Sequence, residues 1–266
     1  MIKEKDIYEF REIWELIASQ TQENDIDRYR SSYLYRGLPD VKFHLLTSLA
    51  RNCKDKGYDL EKPILRNFTK YASIELPNLV NSVWSQLIVG QHYGLPTRLL
   101  DWTYSPLIAL HFATDCGVLS EMEKNDGVIW AIDIVELNKL LPMTYRDKLA
   151  GERAFLFTIE MLDDVVRCLD EYDLDMKDDS MVLLEPPSIN QRIINQYSYF
   201  SVVPKQMPDI EAFLDSKTEH TIKYVIDKKL KWRIRDMLDH LNINERIIYP
   251  GLDGLSSWIK RHYYVK

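Results

Sequence analysis

Arg36, within the run Tyr35-Arg36-Gly37, and the polar segment 91–105 carry the side chains best suited to chemistry. An arginine presents permanently charged N–H donors in a planar fork, which suits a phosphate or a carboxylate. The segment adds imidazole, carboxylate and hydroxyl groups in the run Gln91-His92-Tyr93-Gly94-Leu95-Pro96-Thr97-Arg98-Leu99-Leu100-Asp101-Trp102-Thr103-Tyr104-Ser105. We therefore expect Arg36 to lie within hydrogen-bonding reach of a polar group of residues 92–103, at a shared ligand site.

Each of these side chains also has a structural explanation. Arg36 would serve equally well as a structural arginine paired with a buried acid such as Asp101. His92 would form hydrogen bonds inside a turn, while Thr103 and Ser105 would act as turn and cap residues. The functional and the structural interpretation of this segment are therefore both carried forward.

The charge balance narrows the possible partners. The 266 residues include 34 basic and 41 acidic side chains, for a formal net charge of −7. This balance provides no general attraction to nucleic acid or to an anionic membrane, so nucleic acid is not indicated as a partner and a membrane is not expected. The first residues lack the apolar core of a secretory signal, and no uncharged stretch has the apolar character of a membrane span. We expect a cytoplasmic protein.

Several common catalytic motifs are absent from the chain. No Gly-rich phosphate loop, His-Glu-x-x-His or Gly-x-Ser-x-Gly occurs, which weighs against P-loop NTPases, Rossmann-type oxidoreductases, zincins and α/β-hydrolases. The cysteines and histidines are too dispersed to suggest a metal centre, so no metal is expected.

Hydrophobic spacing indicates the elements that must position these residues. Helices are predicted near 5–20, 60–74, 78–90, 189–196 and 227–241, and another should start at Ser105-Pro106. Strands are predicted near 33–35, 97–102, 127–134, 181–185, 199–203 and 221–226. The acidic stretch 170–179 is expected to be an exposed loop.

This alternation predicts the fold class. We expect an α+β protein with one mixed, partly antiparallel sheet, split or strongly bent around a cleft, and helices packed outside. The chain contains no internal repeat and no obvious linker, which favours a single domain over residues 1–266. An N-terminal helix (about 5–20) and a C-terminal helical annex (about 227–266) would belong to that domain.

Four runs together resemble the FRG domain family, which is named for a Phe/Tyr-Arg-Gly motif. They are Tyr35-Arg36-Gly37, Leu46-Thr47-Ser48-Leu49-Ala50-Arg51, the segment from Gln91 to Thr103, and Ala109-Leu110-His111-Phe112-Ala113. The resemblance covers about residues 30–135 and extends through the segment 184–196. The family name by itself implies no activity.

The same residues are more distantly similar to ADP-ribosyltransferases of the arginine-serine-glutamate type. This resemblance implies an ADP-ribosyltransferase-like fold that consumes NAD, with Arg36, Thr103 and Glu185 as catalytic residues. Glu185 precedes two prolines, whereas these enzymes carry Glu-x-Glu or Gln-x-Glu. The resemblance further implies a cofactor site formed by Tyr35, Gly37, His92, Tyr93, Trp102 and Ser105.

Three classes of function follow. The first is an NAD-consuming transferase that modifies an unknown macromolecular acceptor as a toxin or defence effector. The second is a nucleotide- or nucleic-acid-binding sensor without catalysis, for which the basic run 228–235 is the best local site for a phosphate backbone. The third is a metal-dependent hydrolase using Asp101 and Glu185.

Overall fold

The computed structural model describes residues 1–23 and 27–266. Its strands are β1 (Lys3–Ile7), β2 (Gln22–Glu23), β3 (Tyr29–Arg30), β4 (Tyr33–Leu38), β5 (Leu99–Thr103), β6 (Gly127–Asp133), β7 (Val182–Leu184), β8 (Ser198–Val202) and β9 (Ile222–Ile226). Its α-helices are α1 (Phe10–Ala18), α2 (Ser48–Cys53), α3 (Gly57–Ala72), α4 (Val83–His92), α5 (Pro106–Ala113), α6 (Ile134–Leu140), α7 (Met143–Glu152), α8 (Ile159–Val165), α9 (Leu169–Met176), α10 (Gln191–Asn195), α11 (Ile210–Lys217), α12 (Lys231–His240), α13 (Glu245–Ile248) and α14 (Leu252–His262). Short 3₁₀ helices occupy Lys54–Lys56, Pro77–Asn81, Leu119–Glu121 and Lys228–Leu230.

Seven strands form one sheet in the order β1-β9-β6-β4-β5-β8-β7. The edge strand β1 runs parallel to β9, and the other neighbours are antiparallel. The strands β2 and β3 pair separately. The predicted α+β class with a mixed, partly antiparallel sheet is confirmed.

The sheet opens between β4 and β5. These two strands share a single residue pair, Tyr35 with Thr103. By contrast, β4 pairs with β6 along its whole length, and β5 does the same with β8. Because the β4–β5 ladder ends after one pair, the sheet is split at its centre, as the sequence predicted.

The hydrophobic core follows this division. On one face, Leu99 and Phe200 pack against α3, α4 and α7–α9, whereas Tyr35 and Ile129 pack against α1, α5 and α12. The opposite face contributes Trp102 and its neighbours to one continuous cluster with α6 and α11. Since side chains alternate along a strand, one face of the sheet therefore carries two separate helical layers, which part where β4 and β5 part.

Two local predictions are wrong. The helix predicted over 5–20 begins only at Phe10, because residues Lys3–Ile7 form an edge strand hydrogen-bonded to β9 and the carboxylate of Glu12 accepts from the N–H groups that precede the helix. The acidic stretch 170–179 is largely the helix α9, in which Tyr172 and Met176 are buried. The remaining predicted elements are found with their ends shifted by a few residues.

Candidate functional site

The split in the sheet forms a cleft of about 200 Å³, which we call the Arg36 cleft. Its walls come from the facing ends of β4 and β5, from α5 and from the segment that leads into β8. It is lined by Tyr35, Arg36, Gly37, Asp101, Trp102, Thr103, Phe112, Arg192, Gln196 and Ser198. Segments far apart in sequence thus meet at one opening in the sheet.

Arg36 bridges the two strands where their ladder ends. Its Nη1 donates to the main-chain oxygen of Asp101 at 2.7 Å and lies 3.5 Å from Oδ2 of the same residue. The prediction that Arg36 reaches a polar group of residues 92–103 is confirmed. The Asp101 side chain is 53% exposed, so the arginine is not paired with a buried acid.

The guanidinium of Arg36 is left with spare donor capacity. The side chain is 16% exposed, and its buried Nε has no hydrogen-bond partner among the described residues. Burial lowers the pKa of Arg36, Asp101 opposes that shift, and the nearby Arg51 adds to it. Since an arginine keeps its charge in proteins, the cleft holds a poorly solvated cation with unused N–H groups.

A chain of hydrogen bonds fixes Asp101 beside Arg36. The amide nitrogen of Gln91 donates to both carboxylate oxygens of Asp101 at 3.1 Å. The amide oxygen of Gln91 accepts from the hydroxyls of Thr97 at 2.6 Å and Ser48 at 3.3 Å. Ser48, Thr97, Gln91 and Asp101 therefore form one connected network that ends at the cleft.

Gly37 is required by helix packing. A Cβ atom at Gly37 would lie 1.9 Å from the main-chain oxygen of Ala109, so any side chain would collide with α5. The glycine after Arg36 allows the α5 backbone to pack directly against β4, which places Phe112 in the wall of the Arg36 cleft. The Tyr-Arg-Gly run thus combines a functional candidate with a packing requirement.

The predicted residues Tyr35, Trp102 and Thr103 line the cleft but have structural partners. Tyr35 and Trp102 are buried in the core, and the indole nitrogen of Trp102 donates to the hydroxyl of Ser201 at 3.1 Å. The Thr103 hydroxyl donates to the main-chain oxygen of Gln196 at 2.7 Å and accepts from the N–H of Ser105 at 3.2 Å. The Thr103 hydroxyl therefore holds β5 to the segment that leads into β8.

The other predicted site residues do not line the Arg36 cleft. Ser105 precedes α5 as expected, but its side chain makes no capping hydrogen bond. Tyr93 is 69% exposed and lies against α3. Glu185 is exposed at the end of β7, at the edge of the sheet, with β8 between β7 and β5.

The strand beside β5 is β8, so the third wall of the cleft comes from the start of β8. Gln196 and Ser198 line the cleft there, and Ser198 pairs with Thr103. The local sequence is Gln196-Tyr197-Ser198, which has the order Gln-x-Ser. The residue of β8 that pairs with Thr103 therefore carries a hydroxyl, and the residue two positions before it carries an amide.

A larger cavity adjoins the Arg36 cleft, and Arg192 lines both. We call it the Tyr249 pocket. It has a volume of about 470 Å³, and its walls include His92, Asn190, Arg192, Tyr249, Asp253 and Ser257. The predicted residue His92 lies here, and its Nε2 is 2.6 Å from the amide nitrogen of Asn190.

Sequence reasoning singled out neither Tyr249 nor Asp253. The pattern Tyr249-Pro250-Gly251 marks a turn, but nothing local connects that turn to Arg36. Tyr249 lies at the site because two hydrogen bonds hold the residues before it. The side-chain amide of Asn195 donates to the main-chain oxygen of Ile247 at 2.6 Å, and that of Gln196 donates to the main-chain oxygen of Ile248 at 3.1 Å. Those hydrogen bonds tie α13 to α10.

The basic run 228–235 is not a continuous exposed surface. Lys231 and Arg235 are buried, and Lys231 donates to the main-chain oxygen of Pro39 at 2.7 Å. Arg235 donates to Nδ1 of His111 at 2.8 Å and to the carboxylate of Glu245. Two of the five basic side chains of this run therefore lie in the interior.

Two further observations concern metals and membranes. The described His, Cys, Asp and Glu side chains form no group of three or more that could hold a metal ion. Across residues 1–23 and 27–266, no helix combines the length and the apolar character required to cross a bilayer.

Comparisons with known proteins identify one region of the chain. No curated protein and no solved structure matches the chain. The family model described as FRG domain matches residues 31–120, which include Arg36, Gln91, Asp101 and Phe112 but neither Arg192 nor Tyr249. This chain therefore carries an FRG domain that supplies β4, β5 and α5 of the Arg36 cleft.

Proposed function

We propose that the Arg36 cleft binds the phosphate group of a nucleotide or dinucleotide, NAD among them, and that the protein acts as a nucleotide-binding sensor. The observation that carries this proposal is Arg36, a nearly buried cation whose Nε has no partner among the described residues. Burying a charge without full pairing is costly, and an anionic ligand would satisfy the free donors.

The surroundings of Arg36 support an anion in this position. Arg192 lines the same cleft, and Arg51 is close enough to lower the pKa of Arg36. Asp101 is the one acidic side chain among the residues that line the cleft, and it already accepts from Gln91. The local balance is thus positive, although the chain as a whole carries a net charge of −7.

The volume and the location of the cleft favour a small ligand over a nucleic acid strand. A cleft of about 200 Å³ suits a phosphate or pyrophosphate group. In the basic run 228–235, which was the alternative site for a phosphate backbone, Lys231 and Arg235 are buried. A free nucleotide is therefore the proposed ligand class.

ADP-ribosyl transfer is the second candidate, because Asp101 keeps one carboxylate in the cleft. The trio Arg36, Thr103 and Glu185 gives it less support. Glu185 lies on the far side of β8, and a Gln-x-Glu motif at the start of β8 would place its carboxylate where the chain has Ser198. A carboxylate at that point would stabilise the cationic sugar that forms when the nicotinamide bond breaks.

Calorimetric titration of the purified protein tests the proposal. We expect inorganic pyrophosphate, ADP and NAD to bind, and Arg36→Met to weaken each by about tenfold or more, because charge-assisted hydrogen bonds are lost. Arg146→Met is the matched control, since Arg146 is exposed on α7 and does not line the cleft. Circular dichroism establishes that both variants remain folded.

Nicotinamide release from NAD, measured with and without cell lysate, separates the two candidates. A sensor binds NAD without release, whether or not a macromolecular acceptor is present. Release that disappears in Arg36→Met would replace the sensor with the transferase. If none of the three ligands binds to the wild-type protein, the nucleotide proposal is wrong.

A further inference from the structure

The Tyr249 pocket and the Arg36 cleft are neighbouring cavities, and Arg192 lines both. The cleft measures about 200 Å³ and the pocket about 470 Å³. Ligand sites for small molecules and cofactors typically occupy about 300–1,000 Å³, so the cleft alone is small for a whole nucleotide while the two together are not. Two arginines, Arg36 and Arg192, line the smaller cavity.

The Tyr249 pocket has aromatic walls. The guanidinium carbon of Arg192 lies 5.4 Å from the centre of the Tyr249 ring, within the range of a cation–π contact. Burial raises the pKa of Tyr249 to about 12, and burial together with Arg192 lowers the pKa of His92. Both rings are therefore uncharged near neutral pH and suited to contact a flat heterocycle.

Polar groups complete the pocket on its exposed side. Asp253, in the first turn of α14, and Ser257, one turn later, both line it. A carboxylate and a hydroxyl are acceptors suited to ribose hydroxyls or an exocyclic amine. Among the described residues no ion pair satisfies Asp253.

The packing of the C-terminal helices keeps these walls together. A Cβ atom at Gly254 would lie 1.9 Å from the main-chain oxygen of Tyr249 and 2.5 Å from that of Glu245. Only a glycine allows α14 to approach the turn after α13 this closely. Tyr249 and Asp253 are consequently held on adjoining walls of the pocket.

We propose that the Tyr249 pocket is the nucleoside subsite of the same site: it takes the base and ribose of a nucleoside diphosphate, or of a dinucleotide, whose phosphates contact Arg36 and Arg192. This inference rests on the proposed function of the Arg36 cleft. The base packs against Tyr249 and His92, while Asp253 accepts from a ribose hydroxyl. The ligand class is thus a nucleotide held at both its phosphate and its ring end.

Titrations of the wild-type protein and of Tyr249 variants with pyrophosphate and with ADP distinguish the phosphate subsite from the nucleoside subsite. Tyr249→Ala should weaken ADP binding by about tenfold, the usual effect of losing an aromatic partner for a base, and leave pyrophosphate binding unchanged. Tyr249→Phe should retain the ADP affinity. Tyr71→Ala is the matched control, because Tyr71 is 70% exposed on α3 and lies outside both cavities.

Asp253→Asn provides a second variant in case Tyr249→Ala does not fold. It is exposed, and it should weaken ADP binding without changing the affinity for pyrophosphate. If ADP and pyrophosphate bind equally well and neither Tyr249→Ala nor Asp253→Asn alters either affinity, the nucleoside subsite is wrong and the phosphate site stands. If neither compound binds to the wild-type protein, the proposed function fails with it.

Discussion

Arg36 and Arg98 both come from motif-bearing runs of the chain, yet their surroundings are opposite. The guanidinium of Arg98 is fully buried and donates to Glu61 through Nε at 2.9 Å and to Asp173 through Nη1 at 2.6 Å. Further bonds from Nη2 complete its contacts with both carboxylates. Arg36 donates to one carbonyl oxygen and keeps a buried Nε free.

The contrast shows how to tell a structural arginine from a candidate ligand site. Arg98 ties α3, β5 and α9 together, and its charge is matched inside the protein by two acids. Arg36 faces a cleft, its only carboxylate partner is half exposed, and nothing within the described residues satisfies its Nε. A nearly buried cation that is only partly paired, at a cavity, is the feature that favours an external anion.

The largest expected effect is the difference between the losses of stability that follow substitution of Arg98 and of Arg36. Arg98→Met should lower the free energy of unfolding by about 3–5 kcal/mol, because Glu61 and Asp173 would remain buried without a counter-charge. Arg36→Met should cost only about 0.5–1.5 kcal/mol, the worth of one hydrogen bond, since Asp101 is accessible to water. Urea unfolding at neutral pH measures both. Equal losses in the two variants would contradict the comparison.

An effect of intermediate size is expected at His111, which accepts a hydrogen bond from the buried Arg235 and makes the stability depend on pH. Burial, reinforced by Arg235, holds the pKa of His111 well below that of an exposed imidazole, although Glu245 opposes the shift. As pH falls through about 6.5, the unfolded chain takes up a proton that folded His111 does not. Stability contributed by this neutral histidine is therefore present above about pH 6.5 and lost below it.

His111→Gln isolates that contribution, because an amide oxygen can still accept from Arg235. Between pH 7 and pH 5 the wild-type protein should lose stability more steeply, by up to about 1.4 kcal/mol per pH unit. Arg235, Arg261 and Glu245 act on this histidine, Asp115 interacts with the same three groups, and all four are present in both proteins. Arg261 and Arg235 outweigh burial and lower the pKa of Glu245 to about 2, so its own contribution is lost only below about pH 4.5. Identical slopes would show that His111 is protonated in the folded state.

The smallest expected effect concerns Thr103, which shares the Arg36 cleft but has its hydroxyl engaged. Thr103→Val should cost about 1 kcal/mol, because the main-chain oxygen of Gln196 loses its donor. The affinities for pyrophosphate and NAD should not change. Thermal unfolding and calorimetry measure the two quantities on the same samples. If Thr103→Val instead lost affinity for these ligands without losing stability, Thr103 would be a ligand contact, as proposed for Arg36.

Much of the fold could be predicted from local patterns. The strand ending at Arg36, the strand through Asp101 and the helix after Ser105-Pro106 all follow from alternation and turn chemistry within a few residues. The contact of Arg36 with residues 92–103 was also predicted correctly. Residues 170–179 were misassigned because acidic composition suggested a loop, whereas Asp173 is buried against Arg98 and Tyr172 packs in the core.

The sequence by itself determined the α+β class, the strands β4 to β9 and the contact of Arg36 with residues 92–103 at the candidate site. Only the tertiary structure decided which other residues surround Arg36. Strand order depends on pairings between distant segments, so no local pattern could show that β8 lies between β7 and β5 and brings Gln196 and Ser198, and not Glu185, to the cleft. For the same reason Tyr249 and Asp253 joined the site only through the packing of α13 and α14 beside α10.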